Sequence, residues 1–120
     1  MSKDKRTSNT IHILGEKWLI YRVKRSDDEK LENANGYTDW TQKKIVVEKV
    51  VPEPGTMGDM DIFEKKVMRH EIVHAFLIES GLDGNSMDYN GAWAKCEEMV
   101  DWFAFQGPKI NAAWKEAKAI

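Results

Sequence analysis

The sequence predicts an α+β fold, because its first half is rich in strand patterns and its second half in helix patterns. Up to residue 51, short β-branched and aromatic runs alternate with turn residues. Residues 59–80 then contain neither Gly nor Pro, and Gly81 follows them. Strands followed by helices are the order typical of α+β domains. At 120 residues the chain is expected to form a single domain, 1–120, around one core.

The first two predicted strands form a hairpin. Residues 11–14 and 18–23 carry β-branched and aromatic side chains, with a turn at Gly15 between them. The polar residues 1–9 are expected to be disordered. Residues 24–35 are dense in mixed charge, which predicts a charged loop or a short exposed helix.

A third strand is predicted over residues 42–51. Its lysines are typical of an edge strand, because they discourage further pairing. Pro52 and Pro54 end it, since proline cannot donate a hydrogen bond to a neighbouring strand.

Three helices are predicted to follow. The first occupies residues 59–80, with Asp59 or Asp61 as its N-cap, and its apolar later part indicates a buried central helix. The second covers residues 92–106 and ends at Gly107, and the third begins at Pro108.

The composition excludes several classes of partner. Lys and Arg number 18 against 20 Asp and Glu, so the basic excess typical of nucleic-acid binding is missing. The N-terminal residues do not resemble a signal peptide, and no apolar run is long enough to span a bilayer. With Cys96 as its one cysteine, the chain forms no internal disulfide. We therefore expect a cytoplasmic protein that binds neither nucleic acid nor membrane.

A candidate metal-binding motif lies inside the first predicted helix, at residues 70–74. His70 and His74 are four residues apart, so both imidazoles lie on one face and can bind a single ion at about 2.0–2.1 Å. Glu71 is placed to hydrogen-bond a water molecule and is the candidate general base.

A catalytic zinc site needs a third protein ligand, and the next predicted helix offers carboxylates. Glu97 and Asp101 share a helix face, so that one can bind zinc and the other can accept the free N–H of a ligand histidine. Glu98 is an alternative ligand. The alternative interpretation is that these carboxylates form a solvated acidic stripe on a surface helix. The apolar residues around them argue against this alternative.

This combination of motifs resembles the zincin metallopeptidases of the gluzincin type. The resemblance covers mainly residues 60–106 and implies a minimal zincin, with a small twisted sheet packed on the central HExxH helix. It implies one zinc ion bound by His70, His74 and Glu97. Glu71 would then be the catalytic base, and Asp101 would orient a histidine ligand.

The stretch from Glu97 to Ala104 also resembles the ImmA/IrrE family, small zincin-like proteases of mobile elements and stress responses that cut DNA-binding repressors. Val100 and Asp101 replace the Ala-Asn pair of that family. The whole motif region is also similar to small zincin-like proteins of bacteria and their phages. The implied partner is a protein or peptide substrate, such as a repressor.

Peptide hydrolysis needs two further features. In zincins an edge strand pairs with the extended substrate, and residues 43–51 are the candidate here. An oxyanion donor is also required, for which Tyr89 is the first candidate, ahead of Tyr37 and His12.

The sequence therefore predicts a zinc-dependent endopeptidase that cleaves a specific protein partner. One alternative is a zinc-stabilised, non-catalytic binding module from a phage or mobile element. Another is a metal-free interaction protein whose histidines are packing groups.

Overall fold

A computed structural model describes residues 7–50, 58–85 and 90–120 of the chain. Its architecture is α+β, with a four-stranded mixed sheet and three helices. The strands are β1 (Thr7–Ile13), β2 (Glu16–Val23), β3 (Gly36–Asp39) and β4 (Lys44–Glu48). The helices are α1 (Met60–Glu79), the short α2 (Leu82–Asn85) and α3 (Glu97–Glu116).

The predicted hairpin is confirmed as the antiparallel pair β1–β2. Leu14 and Gly15 turn the chain with φ of 51° and 88°, the left-handed conformation that tight two-residue hairpins need. The strand β1 begins at Thr7, so the expected disorder of residues 1–9 is wrong for residues 7–9. Residues 1–6 lie outside the described residues.

The predicted edge strand is in fact an inner strand. In the order β1-β2-β4-β3, β4 pairs in parallel with β2 and antiparallel with β3. Its residues Ile45, Val46 and Val47 are all fully buried. The strand is covered on both faces, and this is why its apolar residues are consecutive and do not alternate with polar ones. The edge on this side of the sheet is β3. The Pro52–Gly55 segment expected to end the strand lies outside the described residues.

The charged segment 24–35 is more than a solvated loop. It contains two 3-10 turns, Arg25–Asp27 and Glu29–Leu31, and Leu31 is fully buried against Val23 and Val46 on the outer face of the sheet. The Arg25 guanidinium anchors the segment by donating hydrogen bonds to the Leu31 carbonyl and the Glu48 carboxylate.

Helix α1 confirms the helix predicted over 59–80. Asp59 caps it by accepting a hydrogen bond from the Asp61 amide at 2.9 Å. Gly81 follows with φ of 82°, the left-handed conformation favoured after a helix C-terminus. The expectation that its later part is buried all round is wrong, because α1 packs on the sheet through one face.

The main core lies between the sheet, α1 and the C-terminal half of α3. One face of the sheet contributes alternate residues, and α1 and α3 contribute spaced helical positions. The members are Ile11, Ile13, Trp18, Ile20, Ile45, Val47, Met68, Ile72, Ala75, Phe76, Ile110, Ala113, Ala117 and Ala119.

The second and third predicted helices form one continuous helix. Residues 93–95 are a 3-10 turn, and α3 then runs from Glu97 through Gly107 and Pro108 to Glu116. Proline removes the hydrogen bond to the carbonyl four residues earlier, which here belongs to the exposed Ala104. Because that carbonyl lies on an exposed stretch where water can solvate it, the loss does not end the helix.

Candidate metal centre

The packing of α1 determines where the motif side chains lie. Met68, Ile72 and Phe76 face the core, so positions on the other side of the helix face outwards. His70 and His74 are both exposed on that outer side, one helical turn apart. The imidazoles are therefore not core packing groups.

The two imidazoles converge. Their Nε2 atoms are 3.2 Å apart, and the rings meet edge to face with centroids 4.8 Å apart. Two nitrogens bound to one tetrahedral zinc at about 2.0–2.1 Å would be roughly 3.3–3.4 Å apart. The observed spacing between the imidazoles of His70 and His74 fits this arrangement. A hydrogen bond between neutral imidazoles gives a similar distance.

Glu71 lies between the core face and the histidine face of α1. Its side chain is 7% exposed, and the Thr38 hydroxyl donates a hydrogen bond of 2.7 Å to its Oε1 atom. The same hydroxyl lies 3.2 Å from the backbone carbonyl of Glu71. No motif in the sequence marks Thr38 as a partner of Glu71, because the two residues are 33 positions apart.

A cleft of about 340 Å³ opens beside Glu71 and His70. One wall is the outer part of α1, and the other is formed by Ala34, Asn35 and Gly36. The second wall approaches α1 closely at Gly36, where a Cβ atom would lie 3.0 Å from Val67 Cγ1. The cleft therefore brings the candidate base, one candidate ligand and the start of β3 together.

The turn after β3 is tied by Asp39. Its carboxylate accepts hydrogen bonds from the Thr41 amide at 3.0 Å and from the Gln42 side chain at 3.1 Å. The hydrogen bond from the Thr41 hydroxyl lowers the pKa of Asp39 below its ordinary value. The edge strand is thus held at both ends, by this turn and by its contact with α1.

The structure does not bring the predicted third ligand to the histidine pair. Glu97, Glu98 and Asp101 are exposed in the first turns of α3. The indole N–H of Trp114, near the other end of α3, donates to the Arg69 carbonyl at 3.3 Å. Glu97 precedes Trp114 by seventeen positions, about 25 Å of helix at 1.5 Å per residue.

The metal-binding roles of these carboxylates therefore stay predictions. Among residues 7–50, 58–85 and 90–120, no group of three His, Cys, Asp or Glu side chains is assembled for a metal ion.

Of the candidate oxyanion donors, Tyr37 and His12 do not line the cleft. Tyr89 lies outside the described residues. The Tyr37 hydroxyl donates to Asp28, and His12 donates its backbone N–H to Glu116 at 2.9 Å. That backbone hydrogen bond, helped by the His12 side chain, lowers the pKa of Glu116.

Comparison with known proteins gives no relative. No family model, no curated protein and no solved structure matches this chain. In the part of the chain that the structure describes, no helix is long and apolar enough to cross a bilayer.

Proposed function

We propose that this chain is a zinc-dependent endopeptidase that cleaves an extended segment of a specific protein partner in the cytoplasm. The observation that carries the proposal is the 3.2 Å approach of the His70 and His74 Nε2 atoms on an exposed helix face. The buried carboxylate of Glu71 follows His70 directly in the chain, and both line one cleft.

The donor set fits zinc in its chemistry. Two neutral imidazoles supply nitrogen ligands, and a carboxylate from Glu97 would complete the three protein ligands typical of a catalytic zinc site. Asp101 would accept the free N–H of one imidazole, which fixes the orientation of that ring. When bound, the ion supplies Lewis acidity, which polarises a carbonyl and makes water a better nucleophile at neutral pH.

Glu71 is suited to move the proton. As the water oxygen attacks the scissile carbonyl carbon, Glu71 accepts the proton that the water releases. The carboxyl then returns this proton to the amide nitrogen while the C–N bond breaks, so that an acid and an amine leave. The hydrogen bond from Thr38 holds one oxygen of Glu71, which leaves the other oxygen for this transfer.

The substrate would bind along β3 rather than along the predicted strand 43–51. The strand β4 is paired on both sides and has no free edge, whereas β3 pairs with β4 alone in the sheet. A peptide in extended conformation can add to such an edge through main-chain hydrogen bonds. Because the cleft begins at Gly36, the bound peptide would pass Glu71 and His70. A flexible tail or linker of a regulatory protein, such as a repressor, fits this mode.

The first test is zinc content together with hydrolysis. We expect about one zinc per wild-type chain purified without chelator, and a marked loss of zinc in His70→Ala and Glu97→Ala. Glu71→Gln should keep its zinc, because the amide oxygen of the new side chain can still accept the hydrogen bond from Thr38. The same variant should no longer cleave a peptide library, and mass spectrometry of the products measures this cleavage.

These variants also separate the alternatives. If Glu71→Gln keeps zinc and all biological activity, the chain is a zinc-stabilised binding module and not an enzyme. If the wild type binds no zinc and its melting temperature does not shift when zinc is added, the histidines have no metal role.

A further inference from the structure

The cleft beside Glu71 continues towards the N-terminus of α1, past a phenylalanine and a lysine. Phe63 and Lys66 line it together with His70 and Glu71. Lys66 lies one helical turn before His70 and Phe63 about two turns before it, so the three side chains form one stripe along the helix. We call Phe63 and Lys66 the basic end of the cleft.

The charge of Lys66 is available to a ligand. Its side chain is exposed, and no ion pair joins it to a carboxylate in the described part of the chain. The neighbouring Lys65 differs on both counts, because it pairs with Asp61 at 3.2 Å and does not line the cleft. Glu71 lies five positions after Lys66, about 140° round the helix, so Lys66 does not share its face. The basic end therefore offers an unpaired cation beside a partly buried aromatic ring.

The pleat of β3 determines which side chains of an added peptide would face α1. The Thr38 hydroxyl reaches Glu71, and a Cβ atom at Gly36 would also point at α1, towards Val67. Tyr37, between them, packs on the outer face of the sheet with the buried cluster around Leu31. A strand added to β3 follows the same alternation, so every second side chain of the peptide would face α1.

Two of these peptide side chains would face different parts of the cleft. The one opposite Thr38 would lie beside Glu71, and the one opposite Gly36, about 7 Å along the strand, would face the basic end. Because Gly36 has no side chain, the second position is free of a cross-strand neighbour on this face. A glutamate there could pack its methylene groups on the Phe63 ring while its carboxylate accepts a hydrogen bond from the Lys66 ammonium.

We propose that the basic end of the cleft selects the substrate, which is an extended segment with an acidic side chain within about three residues of the cleaved bond. Lys66 binds the carboxylate of that side chain, and Phe63 packs against its stem. Lys66 is thus a specificity-determining residue, since it acts on the choice of substrate and not on the bond that breaks. This inference rests on the proposed function, because it names the substrate class of the same cleft.

The first experiment compares cleavage of peptides that differ at one position. Glu, Gln or Lys is placed in turn at each position within three residues of the cleaved bond. At one of these positions we expect kcat/KM for the Glu peptide to exceed that for the Gln peptide about 3–10-fold, with the Lys peptide slowest. In Lys66→Glu the order should reverse at that same position. Lys65→Glu is the matched control, because it makes the same charge change outside the cleft, and it should keep the wild-type order.

The second experiment measures binding without turnover. Glu71→Gln, which keeps the cleft but lacks the proposed base, is immobilised and exposed to a synthetic peptide library with Glu, Gln or Lys at the central position. Mass spectrometry of the retained peptides should show the Glu peptides enriched about 3–10-fold over the Gln peptides. The double variant Glu71→Gln/Lys66→Glu should enrich the Lys peptides instead.

The outcomes separate this inference from the proposed function. Cleavage without an acidic preference, or a preference that Lys66→Glu leaves unchanged, overturns the role of the basic end and leaves the peptidase standing. Enrichment of acidic peptides that reverses with Lys66→Glu, in a chain that cleaves nothing, supports the basic end as a peptide site and overturns hydrolysis. A chain that neither cleaves peptides nor enriches the acidic ones overturns both.

Discussion

The Thr38 hydroxyl donates a 2.7 Å hydrogen bond to Oε1 of Glu71, and this contact joins the edge strand β3 to the motif helix α1. The strand that would receive a peptide and the carboxylate that would act on it are therefore coupled by one side chain. We therefore expect a shift of β3 to move the Glu71 carboxylate.

Replacing Thr38 tests this coupling. In Thr38→Val the carboxylate loses its donor, and we expect kcat for peptide cleavage to fall about 10–100-fold, with KM and zinc content unchanged. Thr38→Ser keeps the hydroxyl and should retain most of the activity. Steady-state kinetics and metal analysis on both variants check this. Equal losses in the two variants would mean that Thr38 acts through packing and not through its hydroxyl.

The close approach of β3 to α1 should not tolerate a side chain at Gly36. A Cβ atom there would lie 3.0 Å from the backbone oxygen of Val46 and 3.3 Å from Cγ of Glu71. We expect Gly36→Ala to lower the free energy of unfolding by about 1–3 kcal/mol. Gly84→Ala is the control, because a Cβ atom there meets nothing within 4 Å. Urea unfolding of both variants measures the difference, and similar effects would contradict the predicted clash.

The continuity of α3 depends on Gly107, because Pro108 follows it in the helix. A Cβ atom on a helical residue before proline clashes with the proline ring, and this cost opposes the about 0.5–1 kcal/mol that alanine otherwise gains over glycine in a helix interior. We therefore expect Gly107→Ala to leave the free energy of unfolding unchanged or to lower it, measured by urea unfolding monitored by circular dichroism. A gain of about 0.5–1 kcal/mol would contradict this expectation.

The Glu116 carboxylate should make part of the free energy of unfolding depend on pH. Hydrogen bonds from His12 hold the pKa of Glu116 below its ordinary value. The ionised carboxylate therefore stabilises the folded state when the pH is above that ordinary pKa. This contribution is lost as the pH falls through the lowered pKa. Because the carboxylate is half exposed, we expect less than about 1 kcal/mol.

Stability curves between about pH 5 and pH 3 test the Glu116 contribution. Glu116→Gln keeps an acceptor for the His12 amide but cannot titrate, so its stability should fall less steeply than that of the wild type. The prediction would be contradicted if the free energy of unfolding of Glu116→Gln fell with pH as steeply as that of the wild type.

Local signals in the sequence were enough for the elements whose ends are fixed by their own residues. The β1–β2 hairpin follows from Gly15 between two apolar runs, and α1 follows from Asp59 as a cap and Gly81 after its end. The spacing of His70 and His74 alone places them on one side of the helix. Their exposure depends on which face of α1 packs on the sheet, and the spacing does not determine that.

What the sequence did not predict depends on contacts between distant residues. The lysines around β4 indicated an edge strand, but Ile45–Val47 are enclosed by partners on both sides and both faces. Pro108 indicated a break, but the packed positions Ile110 and Ala113 are continuous with the helix before it. The role of Thr38 depends on the contact between β3 and α1, which joins residues 33 positions apart.

The strand order has a consequence for how the chain folds. The sheet consists of two hairpins of neighbouring strands, β1–β2 and β3–β4, and each can form on its own within microseconds. They join along the parallel pair β2–β4, which closes a long loop and should form late. In the native protein, amide hydrogens along this junction should share one free energy of opening, because they are exposed together when the two hairpins separate.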